Sequence, residues 1–492
     1  MDLSALFIPI KTTAFCKVIA IFIPQSEQQL KSSKIDTSDL VGLVKGHLTE
    51  AKFDFEDSLI LIAVSGGIDS MVLLEILTLL DISGIVVHVD HGMRPNSSSD
   101  ADFVARQAKM RGHKFESERF DVFEIASKKK QSIEEAARDI RYSFFEKVSK
   151  RFNAQFIALG HHEDDQAETV LMNLIRGSGS RGLSGMSSVR DERYLRPMLF
   201  FAKKIICEYA LKRNLQYRED ETNKNLCFFR NRIRYELLPA LESYNPKIKS
   251  ALSRTAVLLR ADDEFIEQKV KESLNDVMRV ESKDCVSLDV RRLLSYHIAI
   301  QRRAVRNALI KVGFAGGFPV VEETMRLLGG GNSSVRYLSN SLRIQSWEGK
   351  LYLSVEQFNP LLLKIPTTEK SACNVGFGTL CVRQGDFSEF KMLTASMAKG
   401  IAVFDAKELS DPVIVRSIRT GDRFSPLGLH GHKKLSDFLI DEKYPAIFRQ
   451  RVIVVESRGK IVWVVGMRTS EYCKVVNDTE TIVVMEFFKT VL

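Results

Sequence analysis

The string Ser65-Gly66-Gly67-Ile68-Asp69-Ser70 carries the clearest chemistry in the chain. It joins an apolar run, Leu59 to Val64, to Met71-Val72-Leu73-Leu74-Glu75-Ile76-Leu77, whose pattern predicts the first turns of a helix. A strand that turns through glycines into a helix suits phosphate. Glycine lets the backbone approach the anion, and the first free N–H groups of the helix point at it. No Lys adjoins Ser70, so the pattern G-x-x-x-x-G-K-[ST] is absent here. The bland reading is a plain Gly-rich turn.

Two further polar strings follow apolar runs. His88-Val89-Asp90-His91-Gly92-Met93-Arg94-Pro95 has alternating side chains on opposite faces, which disfavours a metal site and suits a nucleotide-pocket wall or a solvated loop. In Gly160-His161-His162-Glu163-Asp164-Asp165-Gln166-Ala167-Glu168-Thr169, His161 and Asp165 are four apart, as are Asp164 and Glu168. Each pair shares a helix face if the helix starts early. A carboxylate aimed at a triphosphate would hold magnesium or act as a general base, whereas the plain alternative is a richly capped helix. Such a first-turn acid is expected to be solvated, so its loss should cost little stability.

Arg138 and Arg141 lie one turn apart in Ile133 to Tyr142, where a solvated helix face is the ordinary reading. Arg176 to Met186 is a Gly-rich basic loop, either a linker or a phosphate-contacting lid. From Lys203 to Arg234 there are nine Lys or Arg against four Asp or Glu, with Phe228, Phe229 and Tyr235 beside Arg230, Arg232 and Arg234. That mixture suits an RNA surface and equally a helix with snorkelling arginines. Arg291, Arg292, Arg302, Arg303 and Arg306, then Arg416, Arg419 and Arg423, extend the basic residues along the chain and suit a multi-point grip on a polyanion.

Strands must place these groups. Ile85 to Val89 and Phe156 to Gly160 read as further strands, and Ser99–Arg111, Ile133–Arg151 and Asp164–Arg176 as helices. The alternation predicts an α/β unit with a parallel sheet covered on both faces and ligands at its carboxyl edge. From Asn245 to about Leu328 the pattern is nearly all helical, before short strands at Val335–Leu338, Leu342–Trp347 and Leu351–Val355. A last α+β unit has strands Val413–Arg416, Val452–Val455 and Ile461–Val465 and a helix Lys434–Asp441. The expected division is an extension over 1–52, a catalytic domain over 53–245, a mainly helical domain over 246–369 and a C-terminal domain over 370–492.

The chain has 492 residues, 45% hydrophobic and 27% charged, with a formal charge of +9. A pI near 9.0 is a mild bias toward polyanions. Seven cysteines show no C-x-x-C pair, so no disulfide framework, zinc ribbon or iron–sulfur site is expected, and a reduced cytoplasm fits. The apolar run 14–24 is interrupted by Lys17 and is shorter than the roughly 20 residues a membrane span needs. It also lacks a small-residue cleavage site, so no membrane partner is expected.

The loop string after a strand resembles the pyrophosphate loop of the N-type ATP pyrophosphatases. AVSGGIDSM, HVDHGMRP, ALGHHEDDQAET, RGSGSRGLSGM, Arg196-Pro197, and DETN followed by FFRNRIRYELLP together resemble the tRNA(Ile)-lysidine synthases. RTGDRFSPLG and KKLSDF match that family's last domain. The resemblance implies adenylation of carbon 2 of the wobble cytidine in a CAU-anticodon tRNA(Ile). The ε-amine of L-lysine then displaces AMP, giving lysidine. It implies ATP bound by Ser65, Gly66, Gly67, Ile68, Asp69 and Ser70, with Mg2+ but no assigned protein ligands for it. His161 and Asp165 would serve at the adenylation and lysine sites, and Arg141 would contact phosphate or the adenylated base. A homodimer is compatible with it.

Two alternatives stay open. One is another ATP pyrophosphatase acting on tRNA by sulfur or amide-nitrogen transfer. No cysteine belongs to the motifs, which speaks against the sulfur-inserting type. The other is a non-catalytic tRNA-binding protein, against which the intact polar strings argue.

Overall fold

The computed structural model describes residues 39–51, 53–54, 58–92, 97–218, 226–314, 316–329, 331, 335–339, 341–355, 358–390, 400–429 and 431–489. Most of the N-terminal extension, with its 14–24 run, and Arg94, Pro95 and the DETN string lie outside the described residues. The chain divides into two compact units, Met1–Phe265 and Ile266–Leu492.

In the first unit the elements run α1 (Leu40–Glu50), β1 (Ile60–Ala63), α2 (Ile68–Leu79), β2 (Gly84–Asp90), α3 (Ser97–Met110) and β3 (Lys114–Arg119). They continue with α4 (Val122–Lys129), α5 (Ile133–Phe152), β4 (Phe156–Ala158), α6 (Glu163–Ile175), α7 (Ser180–Leu183), β5 (Val189–Arg190), β6 (Tyr194–Leu195) and α8 (Lys203–Lys212). The sheet order is β3-β2-β1-β4-β6-β5. All pairings are parallel except β5 with β6.

Alternation builds two cores. Ile60 and Ile62 of β1 join Leu40, Val44, Met71, Leu74, Val104 and Ile206 on one face, whereas Leu61 joins Phe144, Phe145 and Val148 of α5 on the other. Each fully buried aliphatic side chain stabilises the fold by roughly 1.5–3 kcal/mol. α5 starts cleanly because Ser132 and Glu135 form a capping box. The parallel sheet and its carboxyl-edge polar strings agree with the expectation. α1 is packed into the same core, so folded structure begins ahead of Phe53. The sequence reading omitted β3, whose residues KFESER carry one apolar side chain among six and give no strand signal.

After α8 come α9 (Phe229–Arg232), a π-helical turn (Ile233–Leu237), α10 (Leu238–Tyr244) and the long helix α11 (Ile248–Val277), in which the division between the units falls. The second unit corrects the expectation that 245–328 is nearly all helix. A hairpin, β7 (Met278–Ser282) and β8 (Cys285–Asp289), directly follows α11. Two five-residue strands behind a long helix are too short for a periodicity to separate them from it. They join the strands at 336–337, 343–347 and 350–354 in one antiparallel sheet. Helices Ile298–Lys311 and Phe318–Arg326 cover it through Ala304, Val305, Leu309 and Val321.

In the C-terminal part a five-stranded and a four-stranded antiparallel sheet share a core of Val413, Val415, Val455, Trp463, Val483 and Met485, beside a two-stranded ribbon at 423–424 and 433–434. Its helix is Leu435–Asp441. Val413–Ser417, Ile453–Ser457 and Lys460–Val464 agree with the expected strands. Among the described residues no helix is long and apolar enough to cross a membrane.

Candidate active site

Gly66 has φ +92, a conformation that side chains with a Cβ rarely adopt, and its carbonyl accepts the Arg218 N–H at 2.9 Å. Ser70 staples the turn. Its hydroxyl donates to the Gly67 carbonyl at 2.8 Å and accepts the Ser65 N–H at 3.2 Å. Gly67 differs from Gly66, for its φ is −73 and a Cβ there would meet nothing nearer than Ser65 Oγ at 3.6 Å. Its small size therefore serves the open side of the loop. Ile68 opens α2, and the first turn of that helix lies against the end of β4. A Cβ on Gly160 would stand 3.3 Å from Asp69 and Ser70 backbone atoms.

Asp69 is the acid of that first turn. One oxygen accepts from the Lys203 ammonium at the start of α8, and the other lies 3.6 Å from His162 Nε2. Burial alone would raise the Asp69 pKa, but His162 and Lys203 outweigh it and hold the carboxyl below its usual value. His162 caps α6 and also stands 3.3 Å from Asp165 Oδ2. Burial works against its charged form, yet Asp165 and Asp69 raise its pKa above 6.5.

Asp165 is only 9% exposed and Glu168 is fully buried. The Asp165 carboxylate accepts the His162 N–H at 3.1 Å and faces Arg230 and Arg234, each with Nη2 at 3.1 Å from Oδ1. Glu168 takes Arg230 Nε at 2.6 Å and Arg234 Nε at 2.5 Å. Burial would raise the Asp165 pKa, but His162, Arg230, His161 and Arg234 together drive it far below the carboxylate range. This corrects one expectation, for Asp165 is not a solvated first-turn acid. Of the readings left open for Arg230 and Arg234, it disfavours free basic groups on a surface.

His161 lies beside Asp165 with its Nδ1 buried and unpartnered. Burial, with Arg196, Arg230 and Arg141, pushes its pKa down to about 3 against the pull of Asp165, so it is neutral near pH 7. Arg141 is exposed but ringed by protein. Burial and the charges of Arg138 and Arg230 depress its pKa, the situation of a group on a cleft wall. His91 ends the β2 string with its pKa lowered to about 4, through burial and the Arg141 and His88 charges. The structure thus gathers Asp69, His161, Asp165 and Arg141 at the carboxyl edge of the sheet. Sequence reasoning missed His162, Lys203 and the role of Glu168. The available signal was spacing: Arg230 and Arg234 stand one turn apart, as do Asp165 and Glu168.

The Arg176–Met186 loop is held from beneath. Gln166 receives the Met186 N–H at 2.6 Å and donates to its carbonyl at 3.0 Å, and Asn173 donates to Gly182 O at 2.7 Å. Arg260 of α11 reaches the carbonyls of Ser184 and Met186.

No cluster of three or more His, Cys, Asp or Glu is arranged for a metal among the described residues. Magnesium takes one or two carboxylates and otherwise phosphates and water, and the carboxylate nearest the loop, Asp69, already faces Lys203 and His162.

The family described as the PP-loop domain matches residues 43–241, and the TilS substrate C-terminal domain matches residues 413–485. A tRNA(Ile)-lysidine synthase of Caldanaerobacter subterraneus subsp. tengcongensis is 33% identical over 452 residues, covering 88% of this chain and 94% of the relative. The chain belongs to the tRNA(Ile)-lysidine synthase family. A lysidine synthase of Geobacter sulfurreducens is 32% identical, covering 87% of the chain and 92% of the relative. That of Bacillus subtilis is 30% identical, covering 90% and 97%. The lysidine synthase matches thus span both units, and the PP-loop match makes the chain an ATP-using enzyme.

Proposed function

We infer that this chain ligates L-lysine to carbon 2 of the wobble cytidine of a CAU-anticodon tRNA(Ile) at the expense of ATP. The observation that carries the reading is a phosphate loop with Gly67 open and Asp69, Lys203 and His162 beside it, in a chain alike to lysidine synthases over nearly their whole length. In the first step the cytidine O2 bonds to the α-phosphorus of ATP, the bond to the β-phosphate oxygen breaks and pyrophosphate leaves. In the second the lysine ε-nitrogen bonds to carbon 2, the C2–O bond breaks and AMP leaves with that oxygen.

Each residue has a physical role in that reading. The N–H groups at Gly67 and the first turn of α2 bind phosphate oxygens. Lys203 neutralises charge as pyrophosphate departs, and His162, whose protonated form its two acids favour, adds to this when it carries a proton. Asp69 holds both cations in place, and Mg2+ carried on the ATP phosphates would supply further charge neutralisation. Asp165, held far below the carboxylate range, is a poor base, so we assign it and Glu168 to fixing Arg230, Arg234 and His162, and assign to Asp165 alone the contact with the lysine amine. His161 is neutral, but with a pKa of about 3 it accepts a proton only once a ligand has changed its surroundings. Its pKa is depressed partly by Arg196, Arg230 and Arg141, so a phosphate neutralising those arginines would raise its basicity. Arg141 on the cleft wall would contact that phosphate or the adenylated base. We also propose separate catalytic, middle and C-terminal domains with boundaries near 245 and 370, the middle one combining helices with an antiparallel sheet, and a cytoplasmic place of action.

The half-reaction separates this reading from its rivals. ATP labelled at the α-phosphate should label a CAU-anticodon transcript without lysine, and added lysine should release the label as AMP. Release by a sulfur or glutamine donor instead would favour a different transferase.

A further inference from the structure

Four arginines gather around Tyr142 of α5 on the cleft side of β4 and β6. Arg138 Cζ lies 5.1 Å from the Tyr142 ring centroid and Arg190 Cζ 4.4 Å from it, with Arg190 also 4.3 Å from the Tyr194 ring. Arg196 is 3% exposed, donates to Ser187 O at 2.6 Å and leaves its Nε buried and unpartnered. Arg141 stands at the open side of the same group.

Acids are scarce here. Arg190 meets Asp191 at 3.1 Å, a side chain 73% exposed. On α5 itself Glu134, Glu135 and Asp139 flank Arg138 without forming an ion pair to it, Glu135 bonding Ser132 and Asp139 accepting from Gln131. Glu146 already accepts from the Tyr194 hydroxyl and Arg193. Arg138, Arg141 and Arg196 have no carboxylate in ion-pair distance among the described residues. Elsewhere the same chain matches its enclosed arginines with acids: Arg230 and Arg234 share Asp165 and Glu168, and Arg416 holds Asp422 and Glu456. Assembling like charges without acids is unfavourable in a purely structural cluster. Stacking on two tyrosines offsets part of that repulsion and fixes the guanidinium planes of Arg138 and Arg190, while Arg196 keeps its Nε unpartnered.

We propose that Arg138, Arg190 and Arg196, ordered by Tyr142 and Tyr194, form a phosphodiester-binding subsite that grips the tRNA backbone beside the reacting nucleotide. ATP is a poor candidate for it. The phosphate loop follows β1, and β6 lies two strands away, roughly 10 Å along the sheet edge. A nucleotide reaching into the cleft brings its flanking phosphates with it. The cationic surroundings also favour the phenolate form of Tyr142, whose pKa lies below normal because the arginine charges outweigh burial. An anionic ligand would reverse that tendency.

The inference rests on the tRNA-ligase reading. It is tested with the full chain carrying Arg138→Gln and Arg190→Gln, singly. The readouts are binding of an unmodified CAU-anticodon transcript over a salt series, and ATP binding without tRNA. Arg138 is exposed and held by one ring contact, so its variant should keep the parent's thermal midpoint if Arg190→Gln does not. Each variant should bind tRNA about tenfold more weakly and lose about one from the log–log salt slope, with ATP affinity unchanged. Arg138→Gln binding tRNA with the parent's affinity and slope would overturn the proposal, as would weakened ATP binding with tRNA binding intact. Either result leaves the parent's lysine-ligating activity as it was, so the subsite can fail without the functional reading failing.

Discussion

Arg230 Nη2 lies 3.1 Å from Asp165 Oδ1, although 65 residues separate the two in sequence. The contact turns an apparent surface arginine into a wall of the site and an apparent solvated acid into a buried ion-pair partner. Asp165→Asn should therefore do more than lower activity by orders of magnitude. Removing the charge leaves Arg230, Arg234 and His162 short of a counter-ion, at about 3 kcal/mol of stability. Chemical denaturation with an unchanged midpoint would show that the buried network adds no net stability.

The two loop glycines should separate. Gly67→Val adds a side chain toward open space, so it should keep the thermal midpoint and abolish ATP-dependent adenylation. Gly66→Ala forces a Cβ onto φ +92 and should lower stability by about 1–2 kcal/mol. Melting curves with adenylation assays check both. Full activity in Gly67→Val would remove the reason for placing phosphate there.

Two neighbouring histidines should give opposite pH dependences. His162 has a folded pKa raised above 6.5, so its contribution is complete below pH 6.5 and is lost as pH rises through the folded value. His161 is lowered to about 3, so it leaves stability intact above pH 6.5 and removes it as pH falls toward 3. Urea midpoints from pH 5 to 9 should show an alkaline decline that His162→Gln loses. An identical decline in the variant would contradict the assignment.

Much of the catalytic fold was legible because β1, β2 and β4 are apolar runs ending in unusual polar strings, and each string lies at the sheet's carboxyl edge. β3 was not, since its side chains are mostly polar. Asp165 was legible as an important acid, but its environment was not, because Arg230 and Arg234 come to it from a distant segment through α9 and a π-helical turn. Composition alone made those arginines equally good RNA ligands. Arg416 shows the same limit. It reads as part of a basic stripe, yet it is 4% exposed and paired with Asp422 and Glu456, whereas Arg419 and Arg423 are exposed.

A direct comparison follows from that difference. Arg416→Met should lower stability by about 3 kcal/mol, because it strands two carboxylates. Arg419→Ala with Arg423→Ala should leave stability within about 0.5 kcal/mol and weaken tRNA binding with a shallower salt slope. Unaltered tRNA binding in the double variant would take these arginines out of the grip.

The Arg260 side chain should restrain the Arg176–Met186 loop. Arg260→Ala removes the donor to the Ser184 and Met186 carbonyls and should speed tryptic cleavage at Arg181, which is exposed. Equal cleavage rates would mean that Gln166 and Asn173 suffice.

Incorporation of labelled L-lysine into an unmodified CAU-anticodon tRNA(Ile) transcript tests the central claim most directly. The account predicts one lysine per tRNA, dependent on ATP, with AMP and pyrophosphate released in equal amounts and no incorporation by Gly67→Val. No incorporation by the folded parent with ATP, Mg2+ and lysine all supplied would contradict it.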